Sequence, residues 1–130
     1  MKKILLIDDD FSIRLPIEQL LANNGYEVKT SEDGFEAVSL LSSYCPDMII
    51  SDVSMPKLDG WDLCDNIRKN PSTKDMPIII LTGKQGNVDE LMSYERGANA
   101  YISKPFKDQD LLDTIKQIFK DGSPDNKTAA

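Results

Sequence analysis

The feature that most constrains this chain is a set of short, nearly continuous apolar runs, each stopping abruptly at polar residues. Ile4-Leu5-Leu6-Ile7 stops at Asp8-Asp9-Asp10, Met48-Ile49-Ile50 at Ser51-Asp52, and Ile78-Ile79-Ile80-Leu81 at Thr82. A strand with one solvated face alternates apolar and polar residues. A run without alternation needs cover on both faces, as in a parallel sheet sandwiched between helices.

The segments between these runs carry helical periodicity. Ile13, Ile17, Leu20, Leu21 and Asn24 share one helical face, and Gly25 follows as the expected C-terminal cap. Residues 26–30 read as a second, less apolar strand. Asp33 opens a second helix marked by Phe35, Ala37, Val38, Leu40 and Leu41, which Pro46-Asp47 breaks. A third helix over 60–69 has Trp61, Leu63, Cys64 and Ile67 as its apolar contacts, and Pro71 and Pro77 bracket the polar loop after it. Asn87 and Glu90 resemble a capping box at the start of a fourth helix that ends near Gly97. Ala100-Tyr101-Ile102-Ser103 is a fifth strand. Asp108 caps a last helix, with Leu111, Leu112, Ile115, Ile118 and Phe119 facing inward. Pro16 sits inside the first helix, where its missing N–H predicts a short first turn or a slight kink.

Five βα units in succession, with short connections, predict an α/β domain whose parallel sheet carries helices on both faces. Residues 1–121 are expected to form that domain and 122–130 a flexible, polar C-terminal tail. A length of 130 residues suits one such core.

The net charge is −7, from 22 acids against 15 bases, and this opposes nonspecific nucleic-acid binding and attachment to anionic membranes. No apolar stretch approaches the roughly 20 residues of a membrane span, and Met1-Lys2-Lys3 with its short apolar run is too brief for a signal peptide. The expected location is cytoplasmic. Cys45 and Cys64 follow no metal-binding spacing and read as partly buried free thiols. The chain has no histidine, which excludes Ser-His-Asp and Cys-His nucleophile systems and histidine-containing zinc sites.

Ligands of open parallel sheets bind beyond the carboxyl ends of the strands. Those ends carry Asp8, Asp9 and Asp10, then Asp52, Thr82 and Ser103-Lys104-Pro105. Taken singly, each has an ordinary reading: a helix N-terminus, a turn, a strand end, a surface turn. Together they gather several carboxylates, one hydroxyl and one ammonium at one edge. Crowded carboxylates either take up a proton or share a cation. The oxygen-only donor set favours Mg²⁺, with Mn²⁺ as a possible substitute. A lysine suits a phosphoryl group as a point charge, and a carboxylate can be the nucleophile that becomes an aspartyl phosphate. The constellation reads as a phosphoryl-transfer site.

Ile7-Asp8-Asp9-Asp10, Asp52-Val53-Ser54-Met55-Pro56-Lys57-Leu58-Asp59-Gly60, Leu81-Thr82-Gly83 and Lys104-Pro105-Phe106 resemble, in order, the four signatures of the CheY-like receiver domains of two-component response regulators. The resemblance covers about residues 3–120. It implies the flavodoxin-like (βα)5 fold with strand order 2-1-3-4-5. It further implies that Asp52 is the phosphoacceptor. Asp8, Asp9, Asp52 and the backbone carbonyl of Ser54 would hold Mg²⁺, with Asp10 an ordinary neighbour. Thr82 and Lys104 would contact the phosphoryl group, and Tyr101 would be an aromatic switch, with an aromatic merely packed on the sheet edge as the lesser alternative. Ser54 and Lys84 would lie beside the phosphoryl group, and the Lys104–Pro105 bond would be cis.

The partners so implied are a histidine kinase or a histidine phosphotransfer protein, and a downstream protein that reads the fourth helix, fifth strand and fifth helix (about 88–96, 101–106 and 111–119). The chain would be a signalling phosphoacceptor that assists its own phosphorylation and dephosphorylation, not an enzyme acting on a separate substrate. Two rivals differ in class. A haloacid-dehalogenase-like phosphatase needs a second acid two residues after the nucleophile, where this chain has Ser54. A receiver-like interaction module that is never phosphorylated would not need the full set of Asp8, Asp9, Asp52, Thr82 and Lys104.

Overall fold

The computed structural model describes residues 1–53, 60–82 and 97–121. Five strands, β1 (Lys3–Ile7), β2 (Glu27–Ser31), β3 (Met48–Asp52), β4 (Ile78–Thr82) and β5 (Ala100–Ser103), form one parallel sheet in the order β2-β1-β3-β4-β5. The helices among the described residues are α1 (Phe11–Asn23), α2 (Gly34–Tyr44), α3 (Gly60–Lys69) and α4 (Asp108–Asp121). This is the flavodoxin-like order, in which the chain reverses direction between β1 and β3 and opens a crevice at their carboxyl ends. The predicted capping box at Asn87 and the helix after it, Ser54, Lys84 and the tail 122–130 lie outside the described residues.

The unbroken apolar runs are buried on both sides of the sheet because successive side chains point to opposite faces. Ile4, Leu6, Ile50, Leu81 and Ile102 pack with Ile17 and Leu21 of α1 and with Leu111, Leu112, Ile115 and Ile118 of α4. Leu5, Ile7, Ile49, Ile78 and Ile80 pack with Ala37 of α2 and with Leu63, Cys64 and Ile67 of α3. β2 is half-exposed along most of its length, as suits the edge strand that its mixed sequence predicts.

Asp10 caps α1 by accepting from the Ser12 N–H, and Asp33 caps α2 by accepting from the Glu36 N–H. Gly25, at φ 91°, supplies the left-handed residue just past α1. Asp108 is the first residue of α4, one position inside the expected cap, and the carbonyl of Lys107 takes the first helical hydrogen bonds. The second strand likewise starts one residue later than expected and runs one further, to Ser31.

α1 runs unbroken through Pro16. Ser12, whose carbonyl the absent N–H would meet, is exposed, so solvent can satisfy that oxygen. Other expectations need correction. Ile13 is 37% exposed, and the charged Arg14 is buried in its stead; Asn24 is an exposed cap residue. Phe35 and Val38 are also exposed, leaving Ala37 as the fully buried apolar residue of α2. The two thiols divide between surface and core, with Cys45 exposed and Cys64 buried.

Candidate functional site

β1 and β3 pair with Ile7 opposite Ser51, so the residues that follow, Asp8 and Asp52, leave the sheet side by side. β3 and β4 pair Asp52 with Leu81, and β4 and β5 pair Thr82 with Ser103. Sheet register alone therefore brings Asp8, Asp52, Thr82 and Lys104 to one edge. The Lys104 N–H donates to the Thr82 carbonyl, and the Lys104–Pro105 peptide bond is cis.

Carboxylate oxygens of Asp8, Asp9 and Asp52 lie within 4.8 Å of one another. Asp8 and Asp52 are buried and Asp9 is exposed. Lys104 Nζ stands 2.7 Å from Asp52 Oδ1 and 3.8 Å from Asp8 Oδ2. One ammonium is thus shared by two carboxylates, and a third carboxylate adjoins them. The Asp10 N–H donates to Asp8 Oδ1 at 3.0 Å, while Asp8 Oδ2 is buried without a hydrogen-bond partner. Burial pushes the Asp8 carboxyl above its ordinary range; the Asp10 N–H opposes that rise, and the charge of Asp52 adds to it. Asp10 differs. The hydroxyl and backbone N–H of Ser12 hold its carboxyl below the ordinary range, and it serves α1 as a cap.

A buried carboxylate oxygen with no partner costs about 1–3 kcal/mol in lost solvation. A proton or a cation relieves that cost. The donors are all oxygen, they converge on one point, and one of them is orphaned, so the residues present fit a hard divalent cation.

Thr82 is fully buried at the end of β4. Tyr101, opposite Ile80 in the sheet, is half-buried and packs against the cluster on the α2–α3 side. Gly60 is constrained by close approach: a Cβ there would stand 2.6 Å from the Asp52 carbonyl oxygen, so α3 can start against the end of β3 only without a side chain. The carbonyl of Ser54, the remaining predicted ligand, lies outside the described residues.

Sequence reasoning missed Arg14. Its guanidinium is buried and donates from Nη1 to the Asp8 carbonyl at 2.7 Å. A signal existed: helical side chains tilt toward the N-terminus, so the fourth residue of α1 can reach back to the end of β1.

Residues 4–116 match the response regulator receiver domain family. The response regulator MprA of Mycobacterium sp. (strain KMS) is 35% identical over 123 residues, 95% of this chain and 53% of that protein. The chain spans about half the length of the curated relatives it matches. Among solved structures, the chemotaxis protein CheY4 of Vibrio cholerae superposes with a TM-score of 0.85 at 35% identity, covering 91% of this chain and 98% of that one. The signal receiver domain of a signal transduction histidine kinase from Syntrophus aciditrophicus gives 0.87 at 34% identity, covering 97% and 95%. A match over nearly the whole sheet and its acidic edge leaves one conclusion about kinship: this chain belongs to the response regulator receiver domains, the phosphorylatable signalling modules of two-component systems.

Proposed function

We propose that this domain, over residues 1–121, accepts a phosphoryl group on Asp52 from a phosphohistidine of a partner histidine kinase or phosphotransfer protein. The observation that carries this reading is the contact of Lys104 Nζ with Asp52 Oδ1 at 2.7 Å, inside a cluster of three carboxylates at the sheet's carboxyl edge. Residues 1–130 contain no histidine, so the donor phosphohistidine lies outside them.

Asp8, Asp9 and Asp52, with the Ser54 carbonyl, would hold Mg²⁺, or Mn²⁺ in its place. When bound, that ion neutralises charge on the phosphoryl oxygens. An Asp52 carboxylate oxygen attacks phosphorus as the phosphorus–nitrogen bond to imidazole breaks, leaving an acyl phosphate on Asp52. Lys104 supplies positive charge to the new phosphoryl oxygens, and the Thr82 hydroxyl donates to one of them. Hydrolysis of the acyl phosphate restores the carboxylate, so the domain assists both steps of its own cycle and acts on no separate substrate.

The new contacts to Thr82 and Lys104 shift a two-state surface, with Tyr101 following Thr82 inward. A downstream protein reads that surface on the segments 88–96, 101–106 and 111–119. The reading places the protein in the cytoplasm; among the described residues, no helix is long and apolar enough to cross a membrane.

The test is intact mass after incubation with acetyl phosphate and Mg²⁺. One added phosphoryl group is expected, absent from Asp52→Asn. No gain in mass by folded protein with Asp52 intact would overturn the proposal.

A further inference from the structure

Arg14 is the one charged side chain of α1 that the fold buries, at 9% exposure, and its guanidinium reaches out of the helix to the carbonyl of Asp8 at 2.7 Å. That carbonyl belongs to the rigid peptide plane that joins Asp8 to Asp9. The rest of Asp8 is also held: its N–H donates to the Ser31 carbonyl at 3.1 Å, and its Oδ1 accepts from the Asp10 N–H at 3.0 Å. Oδ2 is the atom left without a hydrogen bond, and it faces Lys104 and the acidic cluster.

We propose that Arg14 is a positioning residue for the divalent cation: it clamps the Asp8–Asp9 peptide plane and so fixes how two consecutive carboxylates present themselves to the ion. The inference rests on the reading of Asp8, Asp9 and Asp52 as ligands. A charge-assisted hydrogen bond to a carbonyl is strong and directional, and the reach from the first turn of α1 sets its direction. Phe11 completes the arrangement. Phe11 is 61% exposed, and its ring centre lies 5.4 Å from the Arg14 guanidinium carbon, so the ring stands over the charge. Without Arg14 the carbonyl of Asp8 loses its partner, and the plane can turn toward water and carry the Asp9 carboxylate with it.

Outer groups that orient metal ligands are typically worth about 10- to 100-fold in affinity. The test measures Mn²⁺ dissociation constants by the electron paramagnetic resonance signal of the free ion, alongside metal-free melting temperatures. Arg14→Met, which keeps the length and apolar packing of the side chain, is expected to raise Kd about tenfold. Arg14→Lys keeps the charge but shortens the reach, so it separates the hydrogen bond from through-space charge; its Kd is expected between wild type and Arg14→Met. A lower melting temperature with Kd unchanged in Arg14→Met would show a packing role only and overturn the inference. If Arg14→Met does not fold, Arg14→Lys decides alone: weakened binding supports the clamp, and a wild-type Kd overturns it. Wild type that takes up no Mn²⁺ overturns the metal reading and this inference together, whereas wild-type binding abolished by Asp8→Asn secures the ligand reading independently of Arg14.

Discussion

Lys104 Nζ lies 2.7 Å from Asp52 Oδ1, joining the residue after β5 to the end of β3 across the whole of β4. In the ground state the ammonium neutralises a buried carboxylate. On the proposed function, the same charge would stand beside the oxygens of a phosphoryl group on Asp52. Lys104→Met removes the charge while keeping the stem. The acetyl-phosphate-driven mass gain at Asp52 should slow by about tenfold or more, the scale of losing one preorganised electrostatic partner in a partly solvated site. A rate equal to wild type would show that Lys104 only balances charge in the unphosphorylated protein.

Asp8 is the strained member of the acidic group: buried, with Oδ2 lacking a hydrogen bond and its carboxyl pushed up chiefly by burial. A carboxyl raised in the folded state binds more protons folded than unfolded. Stability therefore falls as pH rises from the ordinary carboxylate range through the raised value. Asp8→Asn removes that penalty. In metal-free buffer near neutral pH the variant should be more stable than wild type by about 1–2 kcal/mol, and its urea midpoint should lose the acid-side dependence. Adding Mg²⁺ should raise the wild-type midpoint and leave the variant unchanged. Lower stability of Asp8→Asn without metal would mean that Asp8 earns its burial through contacts to its own carboxylate.

The sheet was legible because both of its signals are local. Met48–Asp52 and Ile78–Thr82, buried along their whole length, stand where the apolar runs predict them, and the half-buried Ala100–Ser103 also keeps its expected bounds. The sequence alone groups Asp8, Asp52, Thr82 and Lys104, because parallel register forces strand ends to one edge. The exceptions lie where a side chain answers to something distant in sequence. Apolar periodicity put Ile13 inward and had no place for Arg14, whose burial depends on a carbonyl in the preceding turn. Phe35 and Val38 mark the second helix in the sequence, but the α2 face they occupy meets solvent. Arg68 carries no sequence signal of its own, because the carbonyls it meets lie in loops after α3 and before β5.

Tyr44 closes α2 with its hydroxyl 3.5 Å from the Glu27 carbonyl, at the opposite edge of the sheet from the acids, and Lys3 Nζ lies 5.3 Å from its ring centre. Burial, then a hydrogen bond with the Glu27 side chain and the negative charges of Glu27 and Asp47, pushes the phenol up to about 12 from an ordinary 10.0. Between those values the unfolded chain loses this proton and the folded chain keeps it, so the group's contribution to stability is lost as pH rises from 10.0 to about 12. Phenolate absorbance should show a late tyrosine transition that Tyr44→Phe removes, beside that of Tyr26, which burial also raises. The slope of stability against pH over that interval should flatten in the variant; an unchanged late transition would assign it to another tyrosine.

Arg68 ties three segments together from the end of α3. It donates from Nη1 to the carbonyls of Lys74 at 2.9 Å and Met76 at 2.7 Å, and from Nε and Nη2 to the carbonyl of Gly97 at 3.0 and 2.7 Å. Nη2 also reaches Asn99 Oδ1 at 3.0 Å, and that oxygen accepts in turn from the Ile78 N–H, so the network joins the starts of β4 and β5. The planar fork of a guanidinium serves several carbonyls at once, which a lysine ammonium on a single flexible stem cannot reproduce. Arg68→Lys and Arg68→Ala should therefore both destabilise, by about 2–4 kcal/mol, because each leaves part-buried carbonyls without donors. Urea unfolding measures the loss. The site residues are untouched by either change, so Mn²⁺ affinity under conditions where both variants are folded should match wild type. If Arg68→Lys proved as stable as wild type, the network would be acting through its charge alone, and the fork geometry seen here would be incidental.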